Sequence, residues 1–149
     1  MKLSVIIVNW NNSDLLRECI TSVHQNTQTP HEVIVVDNGS VDGSVEMVRK
    51  DFPKDILIAN ADNKGFSAAN NQGLRAAHGD FFLLLNNDTK VHPGALDNLV
   101  GFLEKNGQAG ACGPRLLNMD GSIQRQGSFA GNRFWKSETL LLPLNKILI

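Results

Sequence analysis

The stretch GDFFLLLNNDT (residues 79–89) runs from an almost unbroken apolar segment directly into polar side chains. Its first part, DFFLLL (80–85), has the length of a strand and the continuous apolar character of a strand covered on both faces of a sheet. Asn86, Asn87 and Asp88 follow where that strand ends. The stretch therefore predicts a buried strand of a mostly parallel sheet, with potential ligand-binding side chains at its carboxyl end.

Segments of the same kind recur along the chain, and apolar residues at helical spacing lie between them. The other strand candidates are LSVIIVN (3–9), EVIVVD (32–37), DILIA (55–59) and the shorter AGACG (109–113). Four helices are predicted between these strands. The first follows Asn12 or Ser13 and has apolar residues at Leu15, Leu16, Cys19, Ile20 and Val23, and the second has Val45 and Val48. The third consists of the small residues of 67–77, and the fourth follows Pro93 with Leu96, Leu99, Val100 and Leu103 at helical spacing. This alternation predicts an α/β fold, in which a mostly parallel sheet carries helices on both faces.

Composition limits the class of protein. A chain of 149 residues with 42% apolar residues suffices for one compact domain with a buried core. A net charge of -1, without a run of Lys or Arg, argues against nucleic acid as the main partner. The two cysteines stand outside any metal-binding pattern and are interpreted as buried free thiols of a reducing compartment. No stretch reaches the roughly 18 to 20 apolar residues that span a bilayer.

Four polar clusters follow the predicted strands, where parallel sheets bind their ligands. They lie at residues 9–12, 37–40, 60–67 and 86–89. In the last cluster, Asp88 offers the carboxylate that Mg²⁺ needs when it also binds a diphosphate. The alternative is that Asn86, Asn87 and Asp88 only form a turn and cap the next helix.

Two more clusters leave similar alternatives open. Asp37 could accept hydrogen bonds from a base or ribose, or it could only stabilise the turn that Asp-Asn-Gly favours. Lys64, within NKGFSAANNQGL (63–74), could face a diphosphate, or this segment could be an ordinary glycine-containing loop. Asp42 is interpreted as the cap of the helix that follows it.

Other protein classes are excluded by motifs that the sequence lacks. The turn NWNN (9–12) has neither the glycines of a dinucleotide-binding fold nor the acidic residues of a phosphoacceptor receiver. There is no GxxxxGK[ST] phosphate loop and no GxSxG nucleophile elbow. The four histidines share no metal-ligand spacing and are interpreted as structural or surface residues; they are His24, His31, His78 and His92.

Five segments together resemble family 2 glycosyltransferases of the GT-A fold, in that family's order and spacing. They are SVIIVNWNN (4–12), EVIVVDNGSVDGS (32–44), NKGFSAANNQGL (63–74), GDFFLLLNNDT (79–89) and GPRLLNMDGSIQ (113–124). The combination of NxGF, an amide pair and NND is most similar to the bacterial rhamnosyltransferase-like branch. The sequence departs from the family pattern at Asn86, the first position of DxD, and at Asn70, where many members carry Arg.

The resemblance implies transfer of a sugar, with inversion, from a nucleoside diphosphate to an acceptor hydroxyl. It implies that Asp88 binds Mg²⁺ or Mn²⁺ and that the base lies between the first-strand turn and Asp37. It also implies a dTDP- or UDP-sugar donor, a saccharide or lipid-linked acceptor, and a role in bacterial surface polysaccharide synthesis. The substrate-binding residues that it implies are Asn9, Asn11, Asp37, Asn38, Lys64, Asn70 and Asn87.

The family's general base belongs to an acidic motif in a second half, and no such motif follows Gly131. Residues 1–113 are therefore interpreted as the nucleotide-sugar-binding core, and residues 114–149 as a loop and the start of an acceptor-binding half. We expect such a chain to be inactive alone, with its apolar end (140–149) left exposed and prone to association.

The expected location is the cytoplasm, with peripheral association at the inner face of the plasma membrane through parts of the protein outside this sequence. A homo-oligomer is left open. The alternative function is a noncatalytic nucleotide-sugar-binding or interaction module. A sugar nucleotidyltransferase is a third, weaker alternative, because this sequence lacks the GxGxR loop that follows the first strand in such enzymes.

Overall fold

The computed structural model describes residues 2–118, 120–124 and 146–148, the last three by their backbone alone. The strands are β1 (Leu3–Asn9), β2 (His31–Asp37), β3 (Ile56–Ala59), β4 (Phe81–Asn86), β5 (Ala111–Cys112) and β6 (Lys146–Leu148). They form one sheet in the order β3-β2-β1-β4-β6-β5, in which every neighbouring pair is parallel. The helices are α1 (Ser13–Asn26), α2 (Ser44–Asp51), α3 (Phe66–Ala76) and α4 (Ala95–Lys105). The predicted α/β architecture is confirmed.

Strand β1 lies inside the sheet and is covered on both faces, as its continuous apolar sequence predicts. Its Leu3, Val5 and Ile7 belong to a core cluster that includes residues of α1, α2 and α4. Its Ile6 points the other way and belongs to a second cluster with Ala69 of α3. All five side chains are fully buried, so successive residues of one strand join the two helical layers to the sheet.

Helix α3 approaches the sheet closely because it carries Gly73. A Cβ at this position would lie 2.4 Å from Cγ2 of Ile6, far inside van der Waals contact. The small residues that the sequence places at 67–77 thus permit close packing of this helix. The close approach places the N-terminal end of α3 beside the carboxyl edge of the sheet.

Two side-chain predictions for the helices are corrected. Leu15 was expected on the buried side of α1, but it lies in the first turn and is 44% exposed. In α2, Val45 is only half-buried, and the core residues are Met47 and Val48. Pro93 precedes α4, which begins at Ala95.

The end of the sheet differs from the sequence prediction. Lys146–Leu148 forms β6 between β4 and β5, so the backbone of these residues is paired within the sheet. The expected exposure of residues 140–149 stays a prediction. The fifth strand is reduced to Ala111–Cys112. Within the predicted loop 114–138, Leu117 and Ile123 form an antiparallel bridge.

Gly127, Gly131 and Glu138 lie outside the described residues, and the division into two parts at residue 113 stays a prediction. In the described part of the chain, no helix has the length and apolar character needed to cross a membrane.

Candidate functional site

A cavity of about 280 Å³ lies beyond the carboxyl ends of β1, β2 and β4. Because these strands are adjacent and parallel, the polar residues that follow them meet at one edge of the sheet. Each of the four polar clusters predicted from the sequence contributes at least one lining side chain. The lining residues are Val8, Asn9, Trp10, Asn12, Asn38, Asn63, Phe66, Asn86, Asn87 and Asp88.

The floor of the cavity is held by Asp37 from beneath. Nδ2 of Asn9 donates to Oδ2 of Asp37 over 2.9 Å, and the backbone N–H of Ser40 donates to Oδ1 over 2.8 Å. Asn9 is 0% and Asp37 is 1% exposed, and the carboxylate does not itself line the cavity. Since a carboxylate only accepts, it fixes the orientation of the Asn9 amide, whose Oδ1 then accepts from Nδ2 of Asn87 over 2.7 Å.

The segment after β4 forms a turn that presents Asp88 to the cavity. The backbone N–H of Thr89 donates to the carbonyl of Asn86 over 3.2 Å. Asn87 is half-buried and Asp88 is exposed, and both line the cavity. No side chain caps α4, which begins after Gly94. The cap interpretation is therefore wrong, whereas the turn exists and directs these side chains toward the cavity.

An amide network fixes the loop between β3 and α3. Asn60 and Gln72 bond reciprocally through their side-chain amides over 2.8 and 2.9 Å. Nδ2 of Asn60 also donates to Oδ1 of Asn38 over 3.0 Å, and Nδ2 of Asn38 reaches Oδ1 of Asn63 over 3.3 Å. Asn38 is 2% exposed, so the network joins the end of β2 to the loop that carries Asn63 on the cavity wall.

Asn11 connects the loops that follow β1 and β2. Its backbone N–H donates to Oγ of Ser40 over 2.9 Å, and its Oδ1 accepts from the N–H of Val41 over 2.8 Å. Its φ of 53° lies in the left-handed region, which Asn tolerates better than most residues. Asn11 therefore shapes the rim rather than lining the cavity.

Asp42 accepts hydrogen bonds from the first residue of each of two helices at this edge. Its Oδ1 accepts from the N–H of Ser44 over 3.1 Å and from Oγ of Ser44 over 2.5 Å, while its Oδ2 accepts from the N–H of Ser13 over 2.9 Å. The N-cap position of α2 is Gly43 rather than the predicted Asp42, whose carboxylate lies one residue earlier and bonds the first residue of α2 and the first residue of α1. Desolvation raises the pKa of Asp42, but these hydrogen bonds outweigh it, so the pKa lies below its ordinary value.

Two predicted site residues are not brought into the cavity. Lys64 is exposed in the β3–α3 loop and lines no part of the cavity wall. Asn70 is 6% exposed, and its Nδ2 donates within the helix to the carbonyl of Phe66 over 3.0 Å. Of the predicted residues, the structure gathers Asn9, Asn38, Asn87 and Asp88 on the wall, with Asp37 beneath and Asn11 at the rim.

Two aromatic residues of the wall were missed by the sequence reasoning. Trp10 is 55% and Phe66 is 61% exposed, and both line the cavity. A signal was available, since each is an aromatic residue inside a polar segment that follows a predicted strand. Exposed rings on a polar cavity offer flat apolar faces to a ligand.

The oxygen atoms around Asp88 fit a hard divalent cation such as Mg²⁺, provided that bound phosphate oxygens and water supply most of the metal's ligands. Among the described residues, no group of three His, Cys, Asp or Glu side chains could hold a metal by itself. Mg²⁺ and similar ions need only one or two carboxylates when phosphate oxygens and water supply the rest. The exposed carboxylate of Asp88, flanked by Asn86 and Asn87 on the wall, meets that requirement.

Cys19 supports the same turn from below. Its Sγ lies 3.5 Å from the carbonyl oxygen of Asn86. Burial raises the pKa of Cys19 to about 12, with a smaller contribution from the charge of Asp88, while a contact with the backbone of Thr89 opposes the shift. The thiol is therefore neutral and structural, as predicted for a buried free cysteine. Cys112 is free as well, but it is only half-buried, so the prediction of a buried thiol is wrong for this residue.

An α/β sheet with a polar cavity beyond its strand ends defines a ligand-binding domain of the parallel α/β class. The sequence profile of glycosyl transferase family 2 matches residues 4–147. The chain belongs to this family, as its five motifs indicate.

Relatives and solved structures agree with that assignment. The chain is 35% identical over 102 residues to the uncharacterized glycosyltransferase YibD of Escherichia coli K12, a match that covers 66% of this chain and 29% of YibD. It is 28% identical over 132 residues to an N-acetylglucosaminyl-diphospho-decaprenol L-rhamnosyltransferase of Mycobacterium tuberculosis, covering 81% of this chain and 43% of that enzyme.

The structures confirm the GT-A fold. The mannosyltransferase PcManGT from Pyrobaculum calidifontis, in complex with GDP-Man and Mn²⁺, matches with a TM-score of 0.63 and 27% identity over 68% of this chain and 32% of its own. Staphylococcus aureus TarS matches in fold with a TM-score of 0.73 and 24% identity over 88% of this chain and 40% of that one. The chain spans less than half the length of each of these proteins.

Proposed function

We propose that this chain binds a nucleoside-diphosphate sugar and forms the donor site of an inverting glycosyltransferase. The observation that carries the proposal is that one cavity brings together the carboxylate of Asp88, the amide of Asn87 and the exposed rings of Trp10 and Phe66. A nucleoside-diphosphate sugar has the matching parts, because it joins a flat base to a diphosphate that binds divalent cations. The related PcManGT was solved with a ligand of this class and Mn²⁺.

The base of the donor would stack on the exposed faces of Trp10 and Phe66. Stacking on an aromatic ring is favourable for any base, so a further contact must set the preference. We assign that contact to the side of the cavity formed by the ends of β1 and β2, which the buried Asn9–Asp37 bond holds in place. The proposed donor carries a pyrimidine, as dTDP or UDP.

Asp88, with the neighbouring Asn86 and Asn87, would hold Mg²⁺ or Mn²⁺ at the diphosphate. When bound, this cation stabilises the negative charge that develops on the leaving diphosphate. The Asn87 amide is oriented through Asn9, so it can position an oxygen of the diphosphate or of the sugar. The predicted roles of Lys64 and Asn70 would require a rearrangement of the β3–α3 loop and α3.

In the proposed reaction, an acceptor hydroxyl oxygen attacks the anomeric carbon from the side opposite the diphosphate. The bond from the anomeric carbon to the phosphate oxygen breaks, the nucleoside diphosphate leaves and the configuration inverts. A general base takes the proton of the hydroxyl. Asp88 is the only titratable side chain that lines the cavity in the described part of the chain, so the proposal places the base outside the described residues.

The proposed acceptor is a saccharide or lipid-linked saccharide of bacterial surface polysaccharide synthesis. Two relatives support this class by name: the decaprenol-linked rhamnosyltransferase, and the O-antigen biosynthesis protein RfbC of Myxococcus xanthus, which is 32% identical over 145 residues. Such acceptors imply a cytoplasmic protein at the inner face of the plasma membrane. An assembly of several copies is compatible with this proposal.

The test is a calorimetric titration with UDP and dTDP in Mn²⁺, in Mg²⁺ and in a chelator. We expect Asp88→Asn and the chelator each to weaken binding at least several-fold, because the diphosphate loses its bridging charge. Asp80→Asn is the matched control, since Asp80 is an exposed carboxylate just before β4. Equal affinity for wild type and Asp88→Asn, with no effect of the chelator, would refute the metal-dependent donor site.

One observation also favours the second candidate, a noncatalytic binding module: the cavity contains no second titratable group among the described residues. Donor binding without sugar transfer, in a natural product that contains no further domain, would support this candidate.

A further inference from the structure

Two histidine rings meet at the edge of the sheet opposite the cavity. His24 lies in the last turn of α1, and His31 begins β2. Nδ1 of His24 is 3.2 Å from Nε2 of His31, and the ring centroids are 5.4 Å apart. The sequence separates the two residues by seven positions and gave no reason to pair them.

The outer nitrogen of each ring already has an acceptor. Nδ1 of His31 lies 2.8 Å from the carbonyl oxygen of Thr29, and a carbonyl can only accept, so this nitrogen carries a hydrogen. Nε2 of His24 lies 2.9 and 3.1 Å from the carboxylate oxygens of Asp55, so it also carries a hydrogen. In the neutral rings, the two inner nitrogens therefore present lone pairs to each other.

Two lone pairs at this distance repel, so the contact is relieved either by a proton on one inner nitrogen or by a metal ion that both nitrogens bind. We propose that Nδ1 of His24 and Nε2 of His31 are the two protein ligands of a site for a nitrogen-preferring divalent metal ion, of which Zn²⁺ is the probe. Two nitrogens bound to Zn²⁺ at about 2.0–2.1 Å in tetrahedral geometry are about 3.3 Å apart. The observed separation of 3.2 Å matches that spacing.

The surroundings of the pair are those of metal-binding histidines. Such histidines almost always donate their other N–H to a carboxylate or a backbone carbonyl, which fixes the tautomer and the ring orientation. Asp55 and the carbonyl of Thr29 supply these two partners. The side chain of Asp55 is 6% exposed whereas that of His24 is 38% exposed, so the carboxylate is buried behind the ring and the ring is open to water.

Water must complete the coordination. No three His, Cys, Asp or Glu side chains converge as a metal-binding group in the described residues, and the oxygens of Asp55 face the outer nitrogen of His24 rather than the inner one. The site thus differs in ligand type and position from the oxygen-rich site at Asp88. It does not depend on the proposed donor function.

The test is a calorimetric titration of the full chain with Zn²⁺ near neutral pH. We expect wild type to bind one equivalent and His24→Gln or His31→Gln to lose the affinity by about tenfold or more. Asp55→Asn keeps both ligands and should weaken binding by about 10- to 100-fold, as loss of an outer partner does. His92→Gln is the control, because His92 is an exposed histidine elsewhere in the chain, and it should bind Zn²⁺ as wild type does.

A spectroscopic readout separates loss of a ligand from loss of the fold. With Cu²⁺ in place of Zn²⁺, electron paramagnetic resonance should show two imidazole nitrogens in wild type and one in each single variant. The metal-free variants should keep the circular dichroism of wild type. Two results would overturn the proposal. One is Zn²⁺ binding that is unchanged in the double variant His24→Gln, His31→Gln. The other is that wild type binds no Zn²⁺ even at millimolar concentration, in which case a proton bridges the two nitrogens.

Discussion

The carboxylate of Asp37 and the amide of Asn9 form a 2.9 Å hydrogen bond in which both residues are at most 1% exposed. Residues at the ends of two adjacent strands are thereby joined beneath the cavity. The Asp37→Ala variant would leave the Asn9 amide and the Ser40 N–H without this acceptor, so the free energy of unfolding should fall by about 1 to 3 kcal/mol. Urea denaturation measures this change. Asp62→Ala, at an exposed carboxylate, is the control, and an equal loss in both variants would contradict the role of the buried pair.

The same pair underlies the expected choice of base. We predict that UDP and dTDP bind more tightly than ADP and GDP, because the Asn9–Asp37 bond fixes the ends of β1 and β2 beside the stacking rings. Asp37→Ala should weaken UDP binding by about 1 to 3 kcal/mol through the loss of that bond. A competition assay, run at a temperature where the variant is still folded, measures both effects. If a purine nucleotide wins the competition, the assignment of the base is wrong.

Trp10 is expected to supply a large part of the binding energy of the base. Removing an aromatic stacking partner costs about 1 to 3 kcal/mol per base, so Trp10→Ala should weaken nucleotide binding by roughly that amount. Trp10→Phe keeps a ring and should retain most of the affinity. Phe102→Ala is the matched control, since Phe102 is a 50% exposed aromatic residue on α4, away from the cavity. Titration calorimetry distinguishes the three variants, and wild-type affinity in Trp10→Ala would rule out stacking on this ring.

The strands and the position of the site could be predicted because they follow from local pattern and one topological rule. Continuous apolar runs such as residues 3–9 give buried parallel strands, and parallel strands place the residues after them at one edge. Which side chain faces the cavity was not predictable in this way. Asn70 and Lys64 stand in the right segment, yet the start of α3 and the amide network turn Phe66 and Asn63 toward the ligand space instead.

Contacts between distant segments were equally beyond the sequence pattern. His24 and His31 meet because α1 ends beside the start of β2, a packing relationship that no spacing rule encodes. Strand β6 pairs between β4 and β5 although Lys146 interrupts its apolar run. In both cases tertiary placement decides the outcome, and local propensity does not.

Asp42 should make stability depend on pH in the acid range. Its folded pKa is lowered, so its contribution is fully present above the ordinary value of about 3.9 and is lost as the pH falls through the folded pKa. Near neutral pH, Asp42→Ala should cost about 1 kcal/mol, because the N–H groups of Ser44 and Ser13 lose an acceptor. The difference from wild type should shrink as the pH falls below 4, because protonation removes the acceptor charge. Urea denaturation across this range tests it, with Asp80→Ala as the exposed control; a difference that stays constant with pH would contradict the prediction.

The 149-residue chain by itself should bind its donor without transferring the sugar to an acceptor. The only carboxylate that lines the described cavity is Asp88, and the proposal assigns it to the metal. A positioned general base contributes about 10² to 10⁴ in rate, and positioning of the acceptor contributes more. Slow hydrolysis of the donor remains compatible with this arrangement, because water needs no acceptor pocket. The measurement supplies radiolabelled dTDP- and UDP-sugars, Mn²⁺ and a mixed pool of saccharide and lipid-linked acceptors to the purified chain. Fast, metal-dependent glycoside formation would show that a base lies within this chain, and Asp120 and Glu138 would be the first carboxylates to replace.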